Sequence, residues 1–146
     1  DVSNFDTSNV TDMSSMFHYA GYTSTKFTLD ISGFNTNKVT DMDYMLYAVG
    51  YSNPTFTIDT SNLDTSSVTN TERMFEYIGF NSTKLNTTIT IRNPNITKYG
   101  QMFYLVATRE GSQITVNYTS ETSDLVDAMI ATKSANSNVV KGVQVD

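Results

Sequence analysis

Two hydrophobic periods alternate along the chain. The first is a short run in which every second position is apolar: Phe27-Thr28-Leu29-Asp30-Ile31, Phe56-Thr57-Ile58-Asp59-Thr60, Thr88-Ile89-Thr90-Ile91, Gln113-Ile114-Thr115-Val116 and Val143-Gln144-Val145. Period two with many β-branched residues predicts half-buried strands. The second is a Met-Phe segment with apolar residues at i, i+3, i+4 and i+7: Met13, Met16, Phe17 and Ala20, then Met42, Met45, Leu46 and Val49, then Tyr99, Met102, Phe103 and Val106. That spacing predicts a short helix with one apolar stripe. Thr11, Thr40 and Thr69 stand where an N-cap belongs, Thr69-Asn70-Thr71-Glu72 matches a capping box, and Gly21, Gly50 and Gly79 stand where such helices stop.

Together the two periods make one unit, and the unit repeats. Asp12-Met13-Ser14-Ser15-Met16-Phe17 returns 29 residues on as Asp41-Met42-Asp43-Tyr44-Met45-Leu46 and 29 further as Asn70-Thr71-Glu72-Arg73-Met74-Phe75. Weaker copies follow at Tyr99-Gly100-Gln101-Met102-Phe103 and Val126-Asp127-Ala128-Met129-Ile130. The units run from about 1–29, 30–58, 59–89, 90–116 and 117–146, in a single repeat domain. Neither half of a unit buries its apolar stripe alone, so stacking is expected. The predicted fold is α/β: a right-handed solenoid with a parallel sheet of about five strands on one side and short helices on the other. Leu29, Ile58, Ile89, Ile114 and Val143 are expected to share one core column. The fifth unit carries Lys133 at the stripe position of Ala20, which suits part of a C-terminal cap; the simpler expectation is a slice of a longer protein.

The stretch Asp30-Ile31-Ser32-Gly33-Phe34-Asn35-Thr36-Asn37-Lys38-Val39-Thr40-Asp41-Met42-Asp43-Tyr44-Met45 resembles the repeat of the BspA-like leucine-rich-repeat surface proteins of bacteria. The first two units match well and the third matches with Thr71 in place of the first Met. The resemblance implies a leucine-rich-repeat-like form of the solenoid, an extracellular place on a bacterial cell surface, and a role in adhesion.

Composition narrows the classes. Ser, Thr and Asn number 16, 23 and 14 of 146 residues, while apolar residues make up 38% and charged ones 16%. The net charge of −6 argues against nucleic-acid binding, which wants a basic face. Mean hydropathy is −0.29 and no apolar run approaches the roughly 18–20 residues of a spanning helix, so no membrane insertion is expected. Cysteine is absent, which excludes disulfide frameworks and cysteine-ligated metals.

Catalysis is not expected, nor is a cofactor. The single histidine, His18, aligns with Tyr47, Glu76, Tyr104 and Ala131, and no nucleophile elbow or phosphate loop occurs. The candidate binding residues are instead the outward strand positions Thr28, Asp30, Ser32, Thr57, Asp59, Ser61, Thr90, Arg92, Thr115 and Asn117. Asp1, Asp30 and Asp59 start an acidic column that continues through Thr90, Thr115 and Gln144. Such a column is open to three readings: screened side chains that cap turns, a contact for a basic partner, or a cation site. The first is the plainest, and no metal site is assigned. Tyr47 and Tyr104 are candidate exposed aromatics, whereas Tyr22 and Tyr51 are expected to fold over the helix ends as core. The expected function is a non-enzymatic cell-surface module that binds a host or bacterial protein or glycan. The alternative is a structural spacer or self-assembling stalk element, associating end to end through open strand edges.

Overall fold

A computed structural model of the chain describes Val2 and residues 4–145. Its regular elements lie in the C-terminal part: β1 (Asn86–Ile91), β2 (Gln113–Tyr118), α1 (Ser123–Ala131) and β3 (Val139–Gln144). The strands form one parallel sheet in the order β1-β2-β3. The expected solenoid of about five strands backed by short helices is therefore not the architecture. Among the described residues there are three strands and one helix.

The Met-Phe segments are not helices because their N–H groups divide between two directions. In the first, Met13, Ser15, Phe17 and Tyr19 donate to the carbonyls of Asp41, Asp43, Met45 and Tyr47 in the next copy, at 2.8–3.0 Å. The alternating residues Met16, His18, Ala20 and Tyr22 donate three residues back, to Met13, Ser15, Phe17 and Tyr19. An α-helix sends its interior N–H groups to its own fourth preceding carbonyl and leaves none for a neighbour. Here consecutive turns do the local work and every second amide crosses to the adjacent copy. The same pattern links Met42, Tyr44, Leu46 and Ala48 to Asn70, Glu72, Met74 and Glu76, and Thr71, Arg73, Phe75 and Tyr77 to Lys98, Gly100, Met102 and Tyr104. The geometry requires left-handed residues at regular intervals: φ is +55° and +60° at Ser15 and Tyr19, +51° and +53° at Tyr44 and Ala48, +53° and +59° at Arg73 and Tyr77. Such conformations are uncommon outside glycine. Thr40 and Thr69 do not cap helices; each donates from both N–H and hydroxyl to the threonine carbonyl one copy earlier.

The sheet stops at β1 for an equally local reason. The hydroxyls of Thr60 and Thr65, both fully buried, donate to the carbonyls of Thr88 and Thr90 at 2.8 Å. These side chains occupy the edge of β1 where a strand from the preceding copy would pair. The runs at 27–31 and 56–60 are not strands, and no β-bridge joins them among the described residues. Register also separates the expected core column. Ile89 lies opposite Val116, Ile114 opposite Thr87 and Val139, and Val143 is 64% exposed. Leu29, Ile58, Ile89 and Ile114 all join the core or pack on it, but Ile89 and Ile114 are not register partners, so the column is not continuous.

The apolar stripes do form the core. Met42, Met45, Leu46 and Val49 are buried, as are Met74, Phe75 and Ile78, and Met102, Phe103 and Val106; the Phe75 and Phe103 rings stack at 5.9 Å. In the first copy Met16 is exposed. A buried threonine series ties the corners: the Thr7 hydroxyl accepts from the Asn35 N–H and donates to the Asn35 carbonyl, and Thr36 does the same at Asp64. The weakest sequence copy is the one that becomes the helix. Its segment contains no glycine or aromatic residue, and Val126 and Met129 point into the core. Lys141 fastens β3 to α1 through Asp127 at 2.7 Å and the Ser123 hydroxyl, and Lys133 donates to the Val139 carbonyl.

Candidate functional site

Because copies stack about 29 residues apart, residues at that spacing become neighbours on the surface. Tyr22, Tyr51 and Phe80 hold one such column. Tyr22 stacks on Tyr51 at 4.6 Å, and Tyr51 stacks on Phe80 at 4.9 Å and 7°. A second column starts with His18 and Tyr47, 4.8 Å apart, and its fourth position is Tyr104. Tyr19 and Tyr77 belong to a third, with Ala48 between them in sequence register. Edge-on contacts knit the columns together: Tyr19 with Tyr22 at 85°, Tyr19 with Tyr47 at 80°, Tyr47 with Tyr77 at 76° and Tyr77 with Tyr104 at 88°. With Tyr44 beside His18 and Tyr47, nine rings make a continuous strip over four copies. Arg73 lies over Tyr44 at 5.7 Å and Arg109 over Phe80 at 5.9 Å, so the chain's own cations sit near two margins of the strip.

Beneath the strip, Glu76 takes the column position of Tyr47 and Tyr104. It is buried and paired with Arg73 at 3.1 Å. Burial raises its carboxyl above the usual range, and the Arg73 guanidinium opposes that rise. Burial, a hydrogen bond with Tyr19 and the nearby Glu76 raise the Tyr47 phenol; burial and Glu76 raise that of Tyr77. Both hydroxyls therefore stay protonated at neutral pH.

Tyr47 and Tyr104 thus stand in the strip, half-buried. Tyr22 and Tyr51 do as well, rather than in the core: Tyr22 is 37% exposed. The spacing 22, 51, 80 carries one column of the strip in the sequence, but the expected packing of Tyr22 and Tyr51 over helix ends as core hid it.

The expected strand face divides. Thr28, Asp30, Thr57, Asp59 and Ser61 line a shallow hollow of about 640 Å³ beside Asn86 and Thr88, in the gap left by the unpaired runs. Ser32 is exposed, and its N–H donates to Asp30 at 2.9 Å. Thr90 is buried and Arg92 exposed. Thr115 and Asn117 sit against β3: a Cβ on Gly142 would collide with both, and Asn117 accepts the Val143 N–H at 2.9 Å across the irregularity in register. Thr115 pairs with Thr88 rather than Thr90, so the outward column does not run as expected. Asp1 lies outside the described residues. Asp30 and Asp59 each hold a serine two residues on, and those serine hydrogen bonds keep their carboxyls below the usual carboxylate value. Among the described residues, no three histidine, aspartate or glutamate side chains come together to hold a metal ion, and no helix is long and apolar enough to cross a membrane.

One family covers the stacked copies that carry this strip. Residues 1–116 match the one described as "Mycoplasma protein of unknown function, DUF285", and the chain belongs to it. The match takes in the four copies of the strip and ends inside β2, before α1 and β3. No curated protein and no solved structure matches the chain.

Proposed function

We propose that the chain is a non-enzymatic binding module of a bacterial surface protein, engaging a protein or glycan on a host or bacterial cell. The observation that carries this reading is the continuous strip of nine rings. Tyrosine offers a large, stiff, amphipathic contact at low entropic cost, and exposed aromatic rings gathered on one surface favour recognition. The strip is built by the repeat itself, so each copy adds contact area to the same face. The resemblance of the repeat to that of the BspA-like surface proteins supports the extracellular placement by analogy.

The test is attachment of the labelled chain to cultured epithelial cells, read by flow cytometry. Replacing two exposed rings together, Tyr19→Ala with Tyr22→Ala, is expected to reduce attachment about tenfold or more while the thermal melt is preserved. Asp30→Asn with Asp59→Asn, on the other face, is expected to leave attachment unchanged. Full attachment by the tyrosine variant, or none by the unaltered chain, overturns the proposal and favours a spacer.

A further inference from the structure

The first copy repeats the chemistry of the others without their contacts on one side. In copies two, three and four, every second carbonyl of the Met-Phe ladder accepts an N–H from the copy before, as Asp41, Asp43, Met45 and Tyr47 do. The counterparts in copy one are the carbonyls of Asp12, Ser14, Met16 and His18, and they have no partner among the described residues. The same holds for the N–H and carbonyl of Asp6, whereas on Asn35 and Asp64 a threonine hydroxyl of the preceding copy holds both groups. Apolar side chains on this face are open in parallel. Phe5 is 53% and Met16 37% exposed, while their counterparts Phe34, Leu63, Met45, Met74 and Met102 are buried. Close by, Val2, Phe17, Phe27 and Leu29 line a hollow of about 510 Å³.

We infer that this face is a docking surface for one more copy of the same turn ladder, joined N-terminally at the same 29-residue spacing. Continuity with the interface already formed between successive copies argues for that occupant. A docked copy brings N–H donors to the carbonyls of Asp12, Ser14, Met16 and His18, a threonine hydroxyl to Asp6, and an apolar stripe to Phe5, Met16 and the hollow. Other occupants match less of the surface. Its ladder edge offers acceptors alone, because the N–H groups of Met16 and His18 turn back to Met13 and Ser15, and that of Ser14 to the Asp12 carboxylate. A β-strand presents donors and acceptors along one edge, so pairing here would set carbonyl against carbonyl. Two molecules meeting face to face would bury the same carbonyls without donors, at a cost for each. A second molecule also has no open counterpart at its other end. There the chain closes copy four itself, with Val126, Met129 and Val139 buried and the Leu105 and Val106 N–H groups held by Ser134 and Ser137. The inference stands apart from whatever the aromatic strip binds.

Methionine oxidation reads this face directly. Of the seven methionines Met16 alone is exposed, and hydrogen peroxide attacks exposed thioethers first. The unaltered chain is compared with one in which residues 1–29, carrying Met16→Leu, are duplicated ahead of it. Sulfoxide at Met16, located by peptide mass mapping, is expected to form about tenfold or more slowly in the lengthened chain. A scrambled extension of the same composition is expected to give no protection. Should the duplicate fail to fold, residues 30–58 placed in the same register, with Met42→Leu and Met45→Leu, supply a second donor ladder, and the same slowing is expected. Equal oxidation of Met16 in the unaltered and both lengthened chains, or equal protection by the scrambled extension, overturns the inference. So does slowing in the unaltered chain that grows with its concentration, which assigns the face to a second copy. Slowing of the unaltered chain by phosphatidylcholine vesicles overturns it as well and assigns the face to lipid.

Discussion

Side-chain hydroxyls and carboxylates do much of the structural work in a chain so rich in Ser, Thr and Asn. Thr36 is the clearest case. Its hydroxyl satisfies both the N–H and the carbonyl of Asp64, at 2.7 and 3.0 Å, and it is 1% exposed. Thr36→Val keeps the shape and leaves both backbone groups without that partner, so urea unfolding should show a loss of about 1–3 kcal/mol. The aspartates act nearer the surface. Asp6, Asp12, Asp30 and Asp59 each bond a serine two residues on, and each has its carboxyl held below the ordinary value by that serine. The folded state thus binds these protons more weakly than the unfolded chain does. Their contribution is present above the unfolded value of about 3.8 and is lost as pH falls through the lower folded values. Melts recorded from pH 5 downward should fall in temperature, and combining Asp→Asn at all four positions should flatten that limb.

At the scale of the element, the Met-Phe segment is a ladder of turns whose rungs are shared between copies. Its glycines fill a packing role as well as a conformational one. Gly50 has φ of +61°, and a Cβ there would lie 2.4 Å from the Phe56 ring. Gly50→Ala should therefore cost more than about 1 kcal/mol, the reverse of the gain expected where alanine fits. Met45, fully buried, should cost about 2–5 kcal/mol on truncation to alanine, measured by the same urea titration. The apolar positions of these segments were legible at i, i+3, i+4 and i+7, yet a 3.6-residue period does not distinguish a helix from turns that return their side chains to the core at similar intervals. What decides is where the alternate amides go, and that depends on the adjacent copy.

For the whole molecule, one nine-residue helix and three six-residue strands are the only regular elements among the described residues. Far-UV circular dichroism should accordingly show helix content close to that of α1 alone; a spectrum with five helices' worth of ellipticity would contradict the turn ladder. The same stacking that satisfies the backbone also aligns side chains into columns, and the aromatic strip is the largest product of that alignment. Its continuity depends on copies one to four, so a deletion of one copy should shorten the binding face in proportion. The acidic, polar hollow at Asp30 and Asp59 arises differently, from runs that fail to pair.

The residues themselves determined the repeat, its length, the identity of the buried stripe and the return of aromatic residues at multiples of about 29 positions, because periodic contacts leave periodic composition. They did not determine the backbone form. Whether an alternating run pairs as a strand depends on whether a threonine such as Thr60 or Thr65 has already taken the carbonyls at the edge it would join. Whether a Met-Phe segment coils as a helix depends on whether a neighbouring copy offers carbonyls to half its amides. Both are competitions between a local and a distant partner for one hydrogen bond, and the winner is fixed only when the copies come together.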